Sequence, residues 1–132
     1  MEKKIINPWT WQDGFGFVQA IEVRGGRMLV CAGQASMDGE GRVAHPGDMA
    51  AQTRQCLDNI ETVLAGAGMS LRHVVRLNYY TTDVDRLLAE GWEAAKDRLR
   101  EAECRPASTL LGVTRLAYPE LLIEIEATAV AE

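Results

Sequence analysis

Two acids set two residues apart, Glu124 and Glu126, stand in the stretch Leu121 to Val130, where small and β-branched residues alternate with polar ones. Residues i and i+2 of a strand point to the same side, so both carboxylates share one face. A carboxylate on such a face can orient a water or take up a proton in a cleft. The same pair can equally face solvent or meet basic groups at an interface, and periodicity alone leaves both readings open.

Other reactive residue types are sparse. Cys31, Cys56 and Cys104 show no CxxC spacing and leave an odd thiol under any pairing, which suits a reducing, cytoplasmic setting. Cys31 falls in an apolar strand and Cys56 on an apolar helix face, as core residues do. Cys104, just before Pro106 at a helix end, is expected to be exposed and unreactive. His45 and His73 have no second His or Cys at ligand spacing, so no metal is expected. The chain lacks G-x-S-x-G and GxxxxGK[ST], and Gly14-Phe15-Gly16 precedes a strand where a phosphate loop would follow one. Acyl-enzyme and nucleotide chemistries therefore lack support.

The elements that must position these residues follow from pattern and punctuation. Phe17 to Val23 and Arg27 to Gly33 read as strands joined by a Gly25-Gly26 hairpin turn, and residues 1 to 14 look least regular. A helix capped by Asp48 carries Cys56, Leu57, Ile60, Val63 and Leu64 on one face and ends at Gly66 and Gly68. Val74 to Thr82 reads as a strand. Asp83-Val84-Asp85 caps a second helix to about Ala102, with Leu87, Leu88, Ala95 and Leu99 inward. Pro106 stops it, and Ser108 to Leu116 and Leu121 to Val130 are the last strands. The order β-β-α-β-α-β-β predicts an α+β sandwich, a sheet with two helices on one face. Its other face, carrying Leu122, Glu124, Glu126, Thr128 and Val130, is mixed rather than polar, which favours an oligomer.

Length and charge bound the function. A chain of 132 residues predicts one domain spanning 1–132, able to bury a core without staples. With 14 Lys+Arg against 19 Asp+Glu the net charge is -5, which offers nucleic acid no attraction. No signal-like or membrane-spanning apolar run is visible.

Several stretches together resemble the RidA/YjgF/UK114-type family of reactive-intermediate deaminases. They are Phe17-Val18-Gln19-Ala20, Cys31-Ala32-Gly33-Gln34, residues 51–60, Val75 to Asp83, Arg105-Pro106-Ala107 and Ile123-Glu124-Ile125-Glu126-Ala127, in the family's order and spacing. The resemblance implies a chorismate-mutase-like α+β fold and a homotrimer with ligand clefts between subunits. It implies cofactor-independent hydrolysis of enamines or imines, such as 2-aminoacrylate, to a carbonyl compound and ammonia.

The family's Pro-Ala-Arg-(Ser/Thr) motif reads Pro106-Ala107-Ser108-Thr109 here, so Ser108 stands where an arginine grips the substrate carboxylate. One hydroxyl in place of that anchor forfeits roughly 1.5–3 kcal/mol per charge-assisted hydrogen bond. By the same matching, Glu124 is the catalytic acid that positions water. Phe17, Gly33, Tyr80, Ser108 and Leu110 would bind substrate, Phe17 without the usual tyrosine hydroxyl. A residue is inserted near Ala117-Tyr118-Pro119. The resemblance thus implies a hydrolase whose small-molecule substrate differs from 2-aminoacrylate; the alternative is a non-catalytic trimer that binds a metabolite or stabilises a partner. Trp9 and Trp11 could wall the cleft or pack against the trimer.

Overall fold

Helix α1 (Met49–Gly66) begins at its predicted cap: Asp48 is extended and its carboxylate accepts the Ala51 N–H at 3.0 Å. The computed structural model describes residues 1–132. The inward face of α1 carries Cys56, Leu57, Ile60 and Leu64, all fully buried. Val63, expected there, is 37% exposed, because it lies one position beyond the buried stripe.

The second helix starts where Asp83 accepts the Arg86 N–H at 3.0 Å. It runs as α2 (Val84–Arg86), a π-helical stretch Leu87–Gly91 and α3 (Trp92–Glu101). The wider π turn changes the angular spacing of side chains. Leu87 and Gly91 face inward, whereas Leu88, expected on the apolar face, is 48% exposed.

The main sheet contains β3 (Arg27–Val30), β4 (Gln34–Ala35), β5 (Val74–Thr81), β6 (Ala107–Gly112) and β7 (Ile123–Ala131). Its order is β3-β7-β5-β6, with β4 also on β7; only β5 and β6 run parallel. Leu77 and Tyr79 of β5 and Ile123, Ile125, Ala127 and Ala129 of β7 point at the helices and form the core with them. This is the chorismate-mutase-like α+β fold, two helices on one face of a mixed sheet.

Three expectations need correction. Residues 2–6 are not irregular: β1 (Glu2–Ile6) pairs antiparallel with β2 (Ala20–Arg24) as a separate ribbon. Its residues are all exposed, so no burial pattern betrayed it. Gly25 and Gly26 do turn the chain, with φ of 73° and 79°, but the flanking strands are not partners; β2 joins β1 and β3 joins β7. Gly26 is held against β7, where a Cβ would lie 2.5 Å from the Ala131 carbonyl oxygen. The last two strands are also shorter than expected: β6 ends at Gly112 and β7 begins at Ile123.

Candidate functional site

The two acids on β7 have different fates. Glu126 is engaged: Tyr80 Oη donates to its Oε1 at 2.6 Å and Asn78 Nδ2 at 2.8 Å. These two donors, Tyr80 first, hold the Glu126 carboxyl below its ordinary range, and the same bond pushes the Tyr80 phenol up. Glu124 takes part in no salt bridge or hydrogen bond within the chain. It borders a cleft of about 420 Å³ with Gly33, Asn59, Val63 and Tyr118.

Gly33 is a glycine for a steric reason. A Cβ there would sit 2.9 Å from Glu124 Cδ and 3.1 Å from its Oε1. The backbone of residue 33 thus lies directly against the carboxylate, and a methyl group there would push the end of the Glu124 side chain aside.

Buried amides that the sequence reading passed over position this cleft. Gln52 is fully buried on α1; its amide nitrogen donates to the Glu120 carbonyl at 2.9 Å and the His45 carbonyl at 3.1 Å. Its amide oxygen accepts the Leu122 N–H at 2.8 Å. Thr81 Oγ1 also donates to the Leu122 carbonyl, at 2.7 Å. The entry to β7, two residues before Glu124, is thereby fixed to α1 and β5. Asn59 Nδ2 donates to the Ala35 and Met37 carbonyls at 3.0 and 3.1 Å, holding the opposite wall. The available signal was polar residues in register with the apolar stripe of α1, at positions 52 and 59.

Ser108 is elsewhere. In register it lies opposite Leu77, on the helix-facing side of the sheet, and it borders a second cavity of about 430 Å³ with Phe17, Tyr79, Trp92, Leu99 and Pro106. Phe17 is placed there because its neighbour Val18 bridges to Ala107 and donates its N–H to the Pro106 carbonyl at 3.1 Å. Within one protomer, then, the expected residues do not share one cleft: Gly33 and Glu124 line one cavity, Phe17 and Ser108 the other. Tyr80 lines neither, since its side chain lies on the other face from Tyr79 and is tied to Glu126. Leu110 packs against the core beside Tyr79.

Cys104 overturns the expectation of exposure. It is 2% exposed, its thiol 3.8 Å from the Val74 carbonyl, and burial pushes its pKa up to about 12. Cys56 is likewise raised to about 12, by burial and then by the charge of Glu124. Neither thiol supplies a nucleophile at neutral pH. No three His, Cys, Asp or Glu side chains converge as a metal site, and His73 Nδ1 accepts the Ser70 N–H at 2.9 Å as part of a cap. No helix is long and apolar enough to cross a membrane.

The fold defines an α+β protein with two helices on one face of a mixed sheet and an unpaired carboxylate bordering a cleft, and comparison with known proteins narrows the class. The family model described as Endoribonuclease L-PSP matches residues 14–131. A RutC family protein of Pyrococcus horikoshii, PH0854, is 36% identical over 110 residues, covering 83% of this chain and 84% of the relative. The 2-iminobutanoate/2-iminopropanoate deaminase of Escherichia coli K12 is 30% identical over 115 residues, 86% of each chain. The crystal structure of YyfB from Yersinia pestis, a Rid family protein of unknown function, superposes with a TM-score of 0.87 at 39% identity, covering 99% of this chain and 100% of that one. Escherichia coli TdcF with bound serine gives 0.72 at 28% identity over 88% of each chain. The chain belongs to the RidA/YjgF/UK114 family.

Proposed function

We propose that the protein hydrolyses an enamine or imine metabolite to a carbonyl compound and ammonia, in clefts formed between the subunits of a homotrimer. The observation that carries this reading is the contrast between the two acids: Glu126 is occupied by Tyr80 and Asn78, while Glu124 stands unpaired in a cleft against Gly33. An ionised carboxylate without a partner can hold a water and take its proton. The water oxygen bonds to the C=N carbon, the C–N bond breaks, and nitrogen leaves as ammonia with the protons that water supplies. The relationship to the Escherichia coli imine deaminase supports the same chemistry.

A trimer answers two features of the protomer. Met28 and Val30 are 68% and 73% exposed on the sheet face that bears no helix, and contact with another copy would cover them. The Glu124 cleft and the Ser108 cavity lie apart in one chain, and neighbouring copies can bring one against the other. Three buried, unpaired thiols fit a reducing, cytoplasmic location.

The absence of a cation at position 108 favours a second reading, in which the clefts bind a metabolite or steady a partner without turnover. One experiment separates them. Imines generated in place by an amino-acid oxidase are followed by ammonia release, with wild type and Glu124→Gln. Acceleration by wild type that the variant loses supports hydrolysis; tight keto-acid binding with no acceleration supports the second reading. Sedimentation equilibrium should give three times the 14.5 kDa chain mass.

A further inference from the structure

The cavity beside Ser108 has a chemistry that a carboxylate-positioned water does not require. Its walls are Phe17, Tyr79, Trp92, Leu99 and Pro106. At its mouth Phe15 and Trp11 extend the aromatic surface, their rings 6.5 and 6.0 Å from that of Phe17, and both are more than half exposed, at 52% and 64%. Aromatic groups left in water at the rim of an apolar cavity gain by covering a ligand.

Two neutral polar groups on its wall have no partner within the chain. Tyr79 is 2% exposed, burial pushes its phenol up, and no group of the chain hydrogen-bonds its hydroxyl. Trp92 Nε1 is buried without an acceptor. Buried polar atoms normally have partners, so the Trp92 N–H, beside a Tyr79 hydroxyl that no group of the chain engages, marks a place where a ligand atom completes the count. The rim cations are already engaged: Lys96 with Glu93 at 3.4 Å, Arg100 with Asp97 at 2.8 Å, Arg105 with Asp13 at 2.9 Å. No unpaired cation is offered to a carboxylate here. Ser108 leaves open the volume that a longer side chain would enter.

We propose that this cavity receives the aromatic side chain of the substrate, so that the protein acts on imines, or their enamine tautomers, derived from aromatic amino acids. The inference rests on the deaminase reading and adds the substrate class to it. Affinity comes from burial of an apolar ring with a neutral hydrogen bond, in place of a charged clamp on a small acid. Sealing one ring from water favours phenylpyruvate over pyruvate by roughly 30- to 150-fold.

The test uses the full-length protein and two readouts. Calorimetry with phenylpyruvate and pyruvate measures the preference without turnover, and ammonia release compares imines made from phenylalanine and from alanine. The expected result is tighter phenylpyruvate binding and faster hydrolysis of the phenylalanine-derived imine. Ser108→Phe, which fills the cavity, should remove the preference; Phe17→Ala, which trims a partly exposed wall, should weaken it about tenfold or more. If Ser108→Phe does not fold, Phe17→Ala decides. Equal binding of the two acids, or faster turnover of the alanine-derived imine, overturns the inference and leaves the deaminase reading standing. Strong phenylpyruvate preference with no hydrolysis of either imine supports the aromatic site and overturns the deaminase reading.

Discussion

The two cavities are almost equal in volume, about 420 and 430 Å³, yet they are built on different principles. The Glu124 cleft is made by close backbone approach and a scaffold of buried amides: Gly33 lies under the carboxylate, and Gln52 and Asn59 pin the segments on either side. The Ser108 cavity is made by rings, with Tyr79 and Trp92 edge to face at 5.2 Å and Phe17 beside them. The first arrangement holds the backbone around a charge. The second excludes water and accepts shape. Under the proposed function the first would carry the chemistry and the second the recognition, and within one protomer their linings share no residue.

The sharpest way to divide them is Glu124→Gln. Loss of the general base should lower kcat for imine hydrolysis by about 10²- to 10⁴-fold, while keto-acid binding in the Ser108 cavity changes little. Steady-state rates and calorimetry on one preparation check both halves. If binding collapses with turnover, the two cavities act as one site and the division fails.

Next in size is the scaffold. Gln52→Ala removes three hydrogen bonds and leaves the Glu120 and His45 carbonyls and the Leu122 N–H without their partner. A loss of about 2–4 kcal/mol in unfolding free energy is expected, read by urea denaturation. A change below about 0.5 kcal/mol would mean that the β7 entry is held by something other than this amide.

Gly33→Ala is a smaller and more local perturbation. The added methyl would meet Glu124 Cδ at 2.9 Å, so the carboxylate must move. Turnover should fall roughly 10- to 100-fold, since displacement of a catalytic group by about an ångström costs that much. Phenylpyruvate affinity should stay within a factor of about two of wild type if the cavities are independent. Unchanged turnover would show that the position of Glu124 is not what Gly33 protects.

The smallest effect concerns Glu126, the acid that Tyr80 and Asn78 occupy. Its folded-state pKa lies below the ordinary 4.5, because Tyr80 and then Asn78 donate to the carboxylate. The stabilisation this brings is complete above pH 4.5 and is lost as pH falls through the lower folded value. Tyr80→Phe should move the Glu126 titration upward and shrink that acid-side loss, with Glu124-dependent turnover retained. Carboxyl NMR titration reads the shift directly. An unmoved Glu126, or a large loss of turnover, would place Tyr80 in the reacting site instead.

Local pattern carried much of this protein. Asp48 and Asp83 are short polar residues before apolar periods and they do cap helices; Cys56, Leu57, Ile60 and Leu64 recur at helical spacing and are buried. The motifs around residues 31–34, 51–60 and 123–127 sufficed to indicate the family and with it the fold. These features depend on residues within one or two turns of each other, which a linear reading can see.

Tertiary structure decided what depends on partners far apart in sequence. The i, i+2 rule puts Glu124 and Glu126 on one face, but only the register of β5 against β7 brings Tyr80 and Asn78 to Glu126 and leaves Glu124 unpaired. The Pro106-Ala107-Ser108 run was visible as a motif, yet the pairing of β6 with β5 aims Ser108 at the helix side, away from Glu124. Cys104 looked exposed beside a proline until the return of the chain to β6 buried it. Strand β1 had no burial signal at all, because backbone hydrogen bonds to β2 hold it and any exposed side chain serves. Residue type and spacing set which groups can act; long-range register sets which of them remain without a partner.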